Sequence, residues 1–168
     1  MELPEIEGEK KELIHGEVAD VPLGDEPAHE HAKANLIAIL VVCLHEHRDG
    51  QVFAGSPYIL DDYNCLAPDI SVLNSERLKR GIDDLFCGAP DLAIEVVSSD
   101  LAERLHTKIR LYLKQGSKAV WVVYPEQRII QIHSPNGDGV TLEQDQVLEG
   151  RNALPGFSTP VSALFEGL

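Results

Sequence analysis

Residues 90–100 read PDLAIEVVSSD, an apolar run that carries one carboxylate near its middle and ends in helix-capping residues. A strand buried on both faces is almost entirely apolar, so Glu95 carries a large desolvation cost unless a partner compensates it. Strand alternation points Glu95 to the same side as Ala93 and Val97. The stretch therefore predicts a core strand with one inward-facing acid, which we interpret as half of a metal site.

Length and composition indicate one domain. The 168 residues are 43% apolar, and strand and helix patterns alternate along residues 1–168. The sequence has no apolar run of the roughly 20 residues needed to cross a bilayer, and its acidic start, MELPE, lacks the basic residues that open a signal peptide. We therefore expect a single α/β domain in the cytoplasm, without a membrane partner.

The net charge of -14 bears on the choice of partner. Affinity for nucleic acid that does not depend on sequence comes largely from lysines and arginines that release counterions from phosphates. This composition counts against a strong non-specific DNA binder. A nucleic-acid enzyme with this charge would have to concentrate its few cations, together with a bound metal, at one cleft.

Residues 10–21, KKELIHGEVADV, predict a β-hairpin with a two-residue turn at His15-Gly16. In that register Ile14 opposes Glu17, and Glu12 lies on the same face as Glu17. Two interpretations remain open: the two acids look into a common interior space, or they form an exposed polar face.

Residues 28–48 predict the first helix, and its middle, LIAILVVCL at 36–44, is apolar nearly all round, which indicates a core helix. Two His-Glu-His triplets lie near its ends, at 29–31 and 45–47. Residues two apart point about 200° apart around a helix, so neither triplet offers both imidazoles to one ion. We interpret the triplets as solvated helix ends.

Residues 66–73, LAPDISVL, predict a second core strand that begins after Pro68. Alternation places Asp69 on the face opposite Ile70 and Val72. Asp69 is thus the second candidate carboxylate.

Residues 101–115 predict a helix that follows the Glu95 strand directly. On a wheel of 100° per residue, Leu105 and Tyr112 lie at about 40° and 20° from Leu101, and Lys108 lies at about -20°. Lys108 therefore sits inside the apolar stripe, where a lysine needs a carboxylate partner or a chemical task. The alternative is a lysine at the edge of the stripe whose amine reaches solvent.

Two carboxylates and one lysine are the minimum set for magnesium-dependent hydrolysis of a phosphodiester. Magnesium prefers oxygen ligands and is commonly held by one or two carboxylates, with water and phosphate oxygens completing the octahedron. A nearby ammonium can orient the attacking water and hold the phosphate. Without a metal, Asp69 and Glu95 would repel each other, so one of them should have a raised pKa.

Five motifs, in this order and spacing, resemble the Uma-type restriction endonucleases, a bacterial branch of the PD-(D/E)XK nuclease superfamily. The resemblance covers about residues 11–166. The motifs are ELIHGE at 12–17, APD at 67–69, PDLAIEVVS at 90–98, KIRLY at 108–112 and GSKAVWVV at 116–123.

The resemblance implies a restriction-endonuclease-like core of the α+β kind, a mixed central β-sheet flanked by helices, with an N-terminal β-hairpin. It implies hydrolysis of nucleic acid, with DNA the expected substrate, by Asp69 and Glu95 as ligands of Mg²⁺ (or Mn²⁺) and by Lys108 on the following helix. It further implies a homodimer or larger assembly. The supporting residues that it assigns are Glu12, Glu17, His29 or His31, and Tyr112.

A second class of function remains open. The same fold could be retained as a catalytically inactive interaction or scaffold module, which would be consistent with the acidic surface. Divalent-ion binding distinguishes the two classes, since a scaffold has no need of the metal ligands.

Overall fold

A computed structural model of the protein describes residues 10–21, 26–81, 84–98 and 102–168. The helices of these residues are α1 (Pro27–His47), α2 (Ser75–Leu78), α3 (Ala102–Lys114) and a final 3₁₀-helix (Val161–Phe165). The strands are β1 (Lys10–Ile14), β2 (Glu17–Val21), β3 (Gly50–Ala54), β4 (Tyr58–Asp61), β5 (Asn64–Leu66), β6 (Ile70–Asn74), β7 (Leu92–Val96), β8 (Ala119–Tyr124), β9 (Ile129–His133), β10 (Gly139–Leu142), β11 (Val147–Glu149) and β12 (Ser158–Pro160).

Six of the described strands form a mixed central sheet in the order β10-β9-β8-β7-β6-β3. β7 and β8 are parallel, and the other neighbours pair antiparallel. A parallel connection needs a crossover, which α3 supplies between β7 and β8. The predicted α+β class with a mixed central sheet is confirmed.

All five residues of β7 are buried, as the sequence predicts for the central strand. Leu92, Ile94 and Val96 face one cluster, which is covered by Leu36, Leu40 and other residues of α1. Ala93 faces a second cluster, which α3 and a smaller sheet cover. That smaller sheet consists, within the described ranges, of four strands in the order β2-β1-β5-β4.

The predicted hairpin forms β1 and β2, with Ile14 opposite Glu17 as expected. Both turn residues have positive φ, 53° at His15 and 81° at Gly16, which suits the twist of a two-residue hairpin turn. Two hydrogen bonds hold the hairpin tip against the β4–β5 turn. The backbone N–H of His15 donates to Asn64 Oδ1 at 2.8 Å. The backbone N–H of Gly16 donates to the Tyr63 carbonyl at 2.9 Å. These bonds place β1 beside β5.

Helix α1 differs from the core helix expected from the sequence. Ala32, Leu36, Leu40 and Leu44 face the central sheet and are buried, whereas Val41 and Val42 are exposed. A helix that packs on one face of a sheet buries only the stripe that faces the sheet. Within the described ranges, Val41 and Val42 on the outer side of α1 are therefore left uncovered.

The C-terminal region contains a structure that the sequence did not predict. The sequence indicated a loop at 152–157, and β11 and β12 pair antiparallel on either side of it, between Val147 and Pro160. Each strand has three residues and buries only its middle side chain, so neither shows a clear alternating pattern. The 3₁₀-helix Val161–Phe165 follows β12 directly.

No helix within the described ranges combines the length and apolar character needed to cross a bilayer.

The two-sided burial of the central sheet predicts a large cost for truncating its core side chains. We expect Ile70→Ala, in β6 with 0% exposure, to lower the free energy of unfolding by about 2–5 kcal/mol because it leaves a cavity. Ile59→Ala, in β4 with 58% exposure, is the matched control and should change it by less than about 0.5 kcal/mol. Urea unfolding of both variants measures the difference, and equal losses would contradict this packing.

Candidate active site

The amine of Lys108 lies between two carboxylates in the interior of the protein. Its side chain is 1% exposed, and its Nζ is 2.9 Å from Glu12 Oε1 and 2.8 Å from Glu95 Oε1. Lys108 projects from α3 toward the sheet because it shares the apolar stripe of that helix with Leu105 and Tyr112. The alternative of a lysine whose amine reaches solvent is wrong.

The two carboxylates keep Lys108 charged. Burial by itself lowers the pKa of an amine, but the negative charges of Glu95 and Glu12 outweigh it, so the pKa of Lys108 is raised. The group at the centre of the cluster is thus an ammonium ion, which donates hydrogen bonds and does not accept protons.

Glu95 receives a second hydrogen bond from α3. The Tyr112 hydroxyl donates to Glu95 Oε1 at 2.9 Å, and both side chains are buried. Burial raises the pKa of Glu95; Lys108 lowers it, nearby Asp69 raises it further, and the net direction is upward. The expected asymmetry between the two acids is therefore present. The pKa of Tyr112 is well above its usual value, first through burial and then through Glu95, so its hydroxyl stays a donor.

Asp69 immediately precedes β6, and β6 is the strand that neighbours β7. The antiparallel pairing of Ile70 with Ile94 brings Asp69 beside the end of β7, where Asp69 Oδ2 accepts from the Val96 N–H at 2.8 Å. His29 Nε2 is 3.6 Å from the same oxygen, and Lys10 Nζ is 3.9 Å from Oδ1. Burial raises the pKa of Asp69, but these three partners outweigh it and lower that pKa to about 2.

The first His-Glu-His triplet is not a solvated helix end. His29 is 3% exposed and faces Asp69, whereas His31 Nε2 contacts the Glu166 carbonyl at 2.7 Å, outside the cluster. Residues two apart on a helix point in opposite directions, which separates the two imidazoles as the sequence predicted. Burial lowers the pKa of His29, but the carboxylates of Asp69 and Glu30 outweigh it, so this pKa is raised.

Of the two candidate acids on the hairpin, Glu12 lies in the buried cluster and Glu17 does not. Glu12 is 2% exposed, and its Oε1 accepts from the Ala67 N–H at 2.9 Å and forms an ion pair with Lys108 Nζ at 2.9 Å. Glu17 shares that face of the hairpin but is exposed, and it lines an open depression of about 430 Å³ with Arg104 and Thr107. Glu17 lies at the turn end of β2, whereas Ala19 and Val21 on the same face of that strand are buried. The expected pair of acids is therefore one buried acid and one solvated acid.

Lys10 is the member of the cluster that the sequence reasoning missed. The signal was available, since strand alternation puts Lys10 on the same face of β1 as Glu12. The predicted hairpin included Lys10, but only Glu12, Glu17 and Leu13 were assigned to its faces.

The oxygen atoms of the cluster fit a hard divalent cation. Among the described residues, no three His, Cys, Asp or Glu side chains are grouped to bind a metal by themselves. Magnesium needs only one or two carboxylates besides water and phosphate oxygens. Asp69 Oδ1 has only the long contact to Lys10 within the described ranges, and Glu12 Oε2 is buried without a hydrogen-bond partner there.

Comparisons with known proteins agree on the family and the fold. The model of the Uma2 family, described as "Putative restriction endonuclease", matches residues 1–162. No curated protein matches the chain. A 1.96 Å crystal structure of "a putative nuclease belonging to DUF820 from Anabaena variabilis ATCC 29413" has a TM-score of 0.84 and 22% identity, covering 97% of this chain and 93% of that chain. That likeness shows a shared fold. Because the family match spans nearly the whole sequence, this chain belongs to the Uma2 family.

Proposed function

We propose that the protein is a divalent-metal-dependent endonuclease that hydrolyses phosphodiester bonds of nucleic acid, with DNA the expected substrate. The observation that carries the proposal is the buried ammonium of Lys108, at 2.9 Å from Glu12 and 2.8 Å from Glu95, beside Asp69 on the next strand. A cluster of buried charges with shifted pKa values is expensive for a fold to maintain and is typical of functional sites.

Asp69 and Glu95 are the residues that would hold Mg²⁺ or Mn²⁺, with Glu12 Oε2 as a further nearby oxygen. When bound, such an ion supplies positive charge to the phosphate oxygens and acidifies a water molecule. The chain's own part is to hold these oxygens in place. The Tyr112 hydroxyl and the Val96 N–H fix one oxygen each of Glu95 and Asp69, so neither carboxylate is free to rotate.

The two carboxylates beside Lys108 determine which chemical roles its amine can have. As an ammonium ion between two carboxylates, it donates hydrogen bonds and supplies positive charge, so it can orient a water molecule or stabilise charge on a phosphate. It cannot take the proton of the attacking water while it remains charged. Glu12 acts through Lys108 and through the Ala67 N–H, which makes it a positioning residue.

The acidity of the chain favours the second candidate, a scaffold without catalytic activity. The net charge of -14 opposes binding to phosphates. The candidate site itself is far closer to neutral, because cationic groups stand beside its acids. Its charged members are Lys10, His29 and Lys108 against Glu12, Asp69 and Glu95.

Metal binding should be visible in thermal melting. We expect Mg²⁺ or Mn²⁺ to raise the melting temperature, because an ion that binds only the folded state stabilises it, by about 2.7 kcal/mol at 100 times its Kd. Asp69→Asn should abolish the shift, and Asp62→Asn, which changes an exposed acid, should retain it. An equal shift in Asp69→Asn would mean that the ion binds elsewhere, and no shift in the wild type would favour the scaffold.

Removing the ammonium should destabilise the metal-free protein. We expect Lys108→Met to lower the free energy of unfolding by about 3–5 kcal/mol, because Glu12 and Glu95 would be left buried without their cation. Adding Glu95→Gln to that variant should recover part of the loss. Arg110→Met, on the exposed side of α3, is the matched control and should change stability by less than about 0.5 kcal/mol. Chemical denaturation without divalent ions makes the comparison.

Catalysis is tested with the same variants on duplex DNA, single-stranded DNA and RNA in Mg²⁺ or Mn²⁺. We expect Glu95→Gln and Lys108→Met to lower turnover by about 10²–10³-fold, as for the loss of one electrostatic group at a reaction centre. Arg110→Met should keep full activity. The assay is run below the melting temperature of every variant, and Glu95→Gln, which keeps its hydrogen-bond acceptor, decides the result if Lys108→Met is too unstable. Wild-type metal binding without cleavage of any substrate would reject the endonuclease.

A further inference from the structure

The outer side of α1 carries a stripe of residues that no described part of the chain covers. We define the outer stripe as Glu30, Ala34, Ala38, Val41 and His45, all exposed, which fall within an arc of about 80° at 100° per residue. Val41 is 49% exposed, and its neighbour Val42 is 58% exposed. The outward face of a helix on a sheet is ordinarily polar.

The middle of this helix also lacks charge on every side. Residues 34–45 contain no Asp, Glu, Lys or Arg, although a quarter of the whole sequence is charged. Exposed and contiguous apolar residues with polar residues at their ends mark interaction surfaces in soluble proteins. Contacts among the described residues account for the inner face of α1, and they leave the outer stripe available to a partner.

The outer stripe is complementary to itself. If two copies of α1 pack antiparallel about a midpoint between residues 37 and 38, Ala34 lies opposite the partner copy's Val41, and Glu30 lies opposite the partner copy's His45. A small side chain opposite a large one lets two helices approach closely. The imidazole of His45 can donate a hydrogen bond to the carboxylate of Glu30. The antiparallel direction also places the positive end of each helix dipole beside the negative end of the other.

Charge favours this surface over others for self-association. Two copies that each carry a net charge of -14 repel each other, so their contact requires a region to which neither copy brings net negative charge. Residues 34–45 meet that requirement, and Glu30 at the margin already pairs with Lys33 at 3.2 Å. A two-fold axis through the midpoint makes every contact occur twice, as in most homodimers.

We propose that a second copy of this chain docks on the outer stripe, so that an antiparallel pair of α1 helices forms the interface of a two-fold homodimer. The proposal concerns the surface opposite the buried face of α1, and it holds whether or not the protein is a nuclease.

Sedimentation of the full-length protein over micromolar concentrations tests the proposal. We expect the wild type to sediment at twice the monomer mass and Val41→Glu to sediment at the monomer mass, because the new charge would lie between the two helices. Val147→Glu is the matched control, since Val147 is a valine with 52% exposure in β11, and it should remain dimeric. A monomeric wild type, or a Val41→Glu variant that dimerises as well as Val147→Glu, would overturn the proposal.

Cross-linking tests the geometry separately. Position 38 lies next to the proposed two-fold axis, so two copies of Ala38→Cys should be close enough for a disulfide. In a background in which Cys43, Cys65 and Cys87 are replaced by serine, oxidation should link Ala38→Cys into dimers and leave Val147→Cys unlinked. Equal cross-linking of the two variants, or none in Ala38→Cys, would reject the antiparallel pairing.

Discussion

The structure depends on one buried ion cluster, in which the ammonium of Lys108 contacts Glu12 and Glu95 at the junction of α3, β1 and β7. Removing an ion from water costs several kcal/mol, and the cost is offset only when its partners and their remaining hydrogen bonds are all present. The Tyr112 hydroxyl and the Ala67 N–H supply two of those bonds. The hairpin, the central strand and the crossover helix are therefore tied to one another by charge as well as by apolar packing.

The sequence predicted the centre of this cluster because the patterns that reveal it lie within single strands and helices. A single acid in an apolar strand can avoid water only by pointing at a partner, and a lysine inside the apolar stripe of a helix points the same way. Glu95 and Lys108 could thus be matched before their contact was known. Asp69 followed from alternation after Pro68. The mixed sheet was supported by the same patterns and by the family resemblance. Both bounds of α1 and the C-terminal bound of α3 differ from the predicted ones by one residue.

The remaining features were not predictable because they depend on distant parts of the chain. The burial of His29 results from the position of the α1 N-terminus against Asp69, which no periodicity within the helix encodes. The same applies to Glu17: its face of the hairpin was predicted correctly, but where the hairpin tip lies depends on its bonds to Asn64 and Tyr63, which are distant in sequence. Hydrophobic pattern also cannot distinguish a helix buried by its own chain from one buried by a partner, as α1 illustrates.

The hydrogen bonds that seat the hairpin also bear on the order in which the chain folds. The bond from Ala67 to Glu12 spans 55 residues and that from His15 to Asn64 spans 49, whereas Tyr112 and Glu95 are 17 residues apart. Contacts that are distant in sequence close larger loops and form more slowly. We therefore expect the β7–α3–β8 unit to form first and the hairpin to dock later. Until then one edge of β5 is open to pairing with another chain, which is a route to aggregation. The hairpin precedes that unit in the chain, yet it is in this sense required after it.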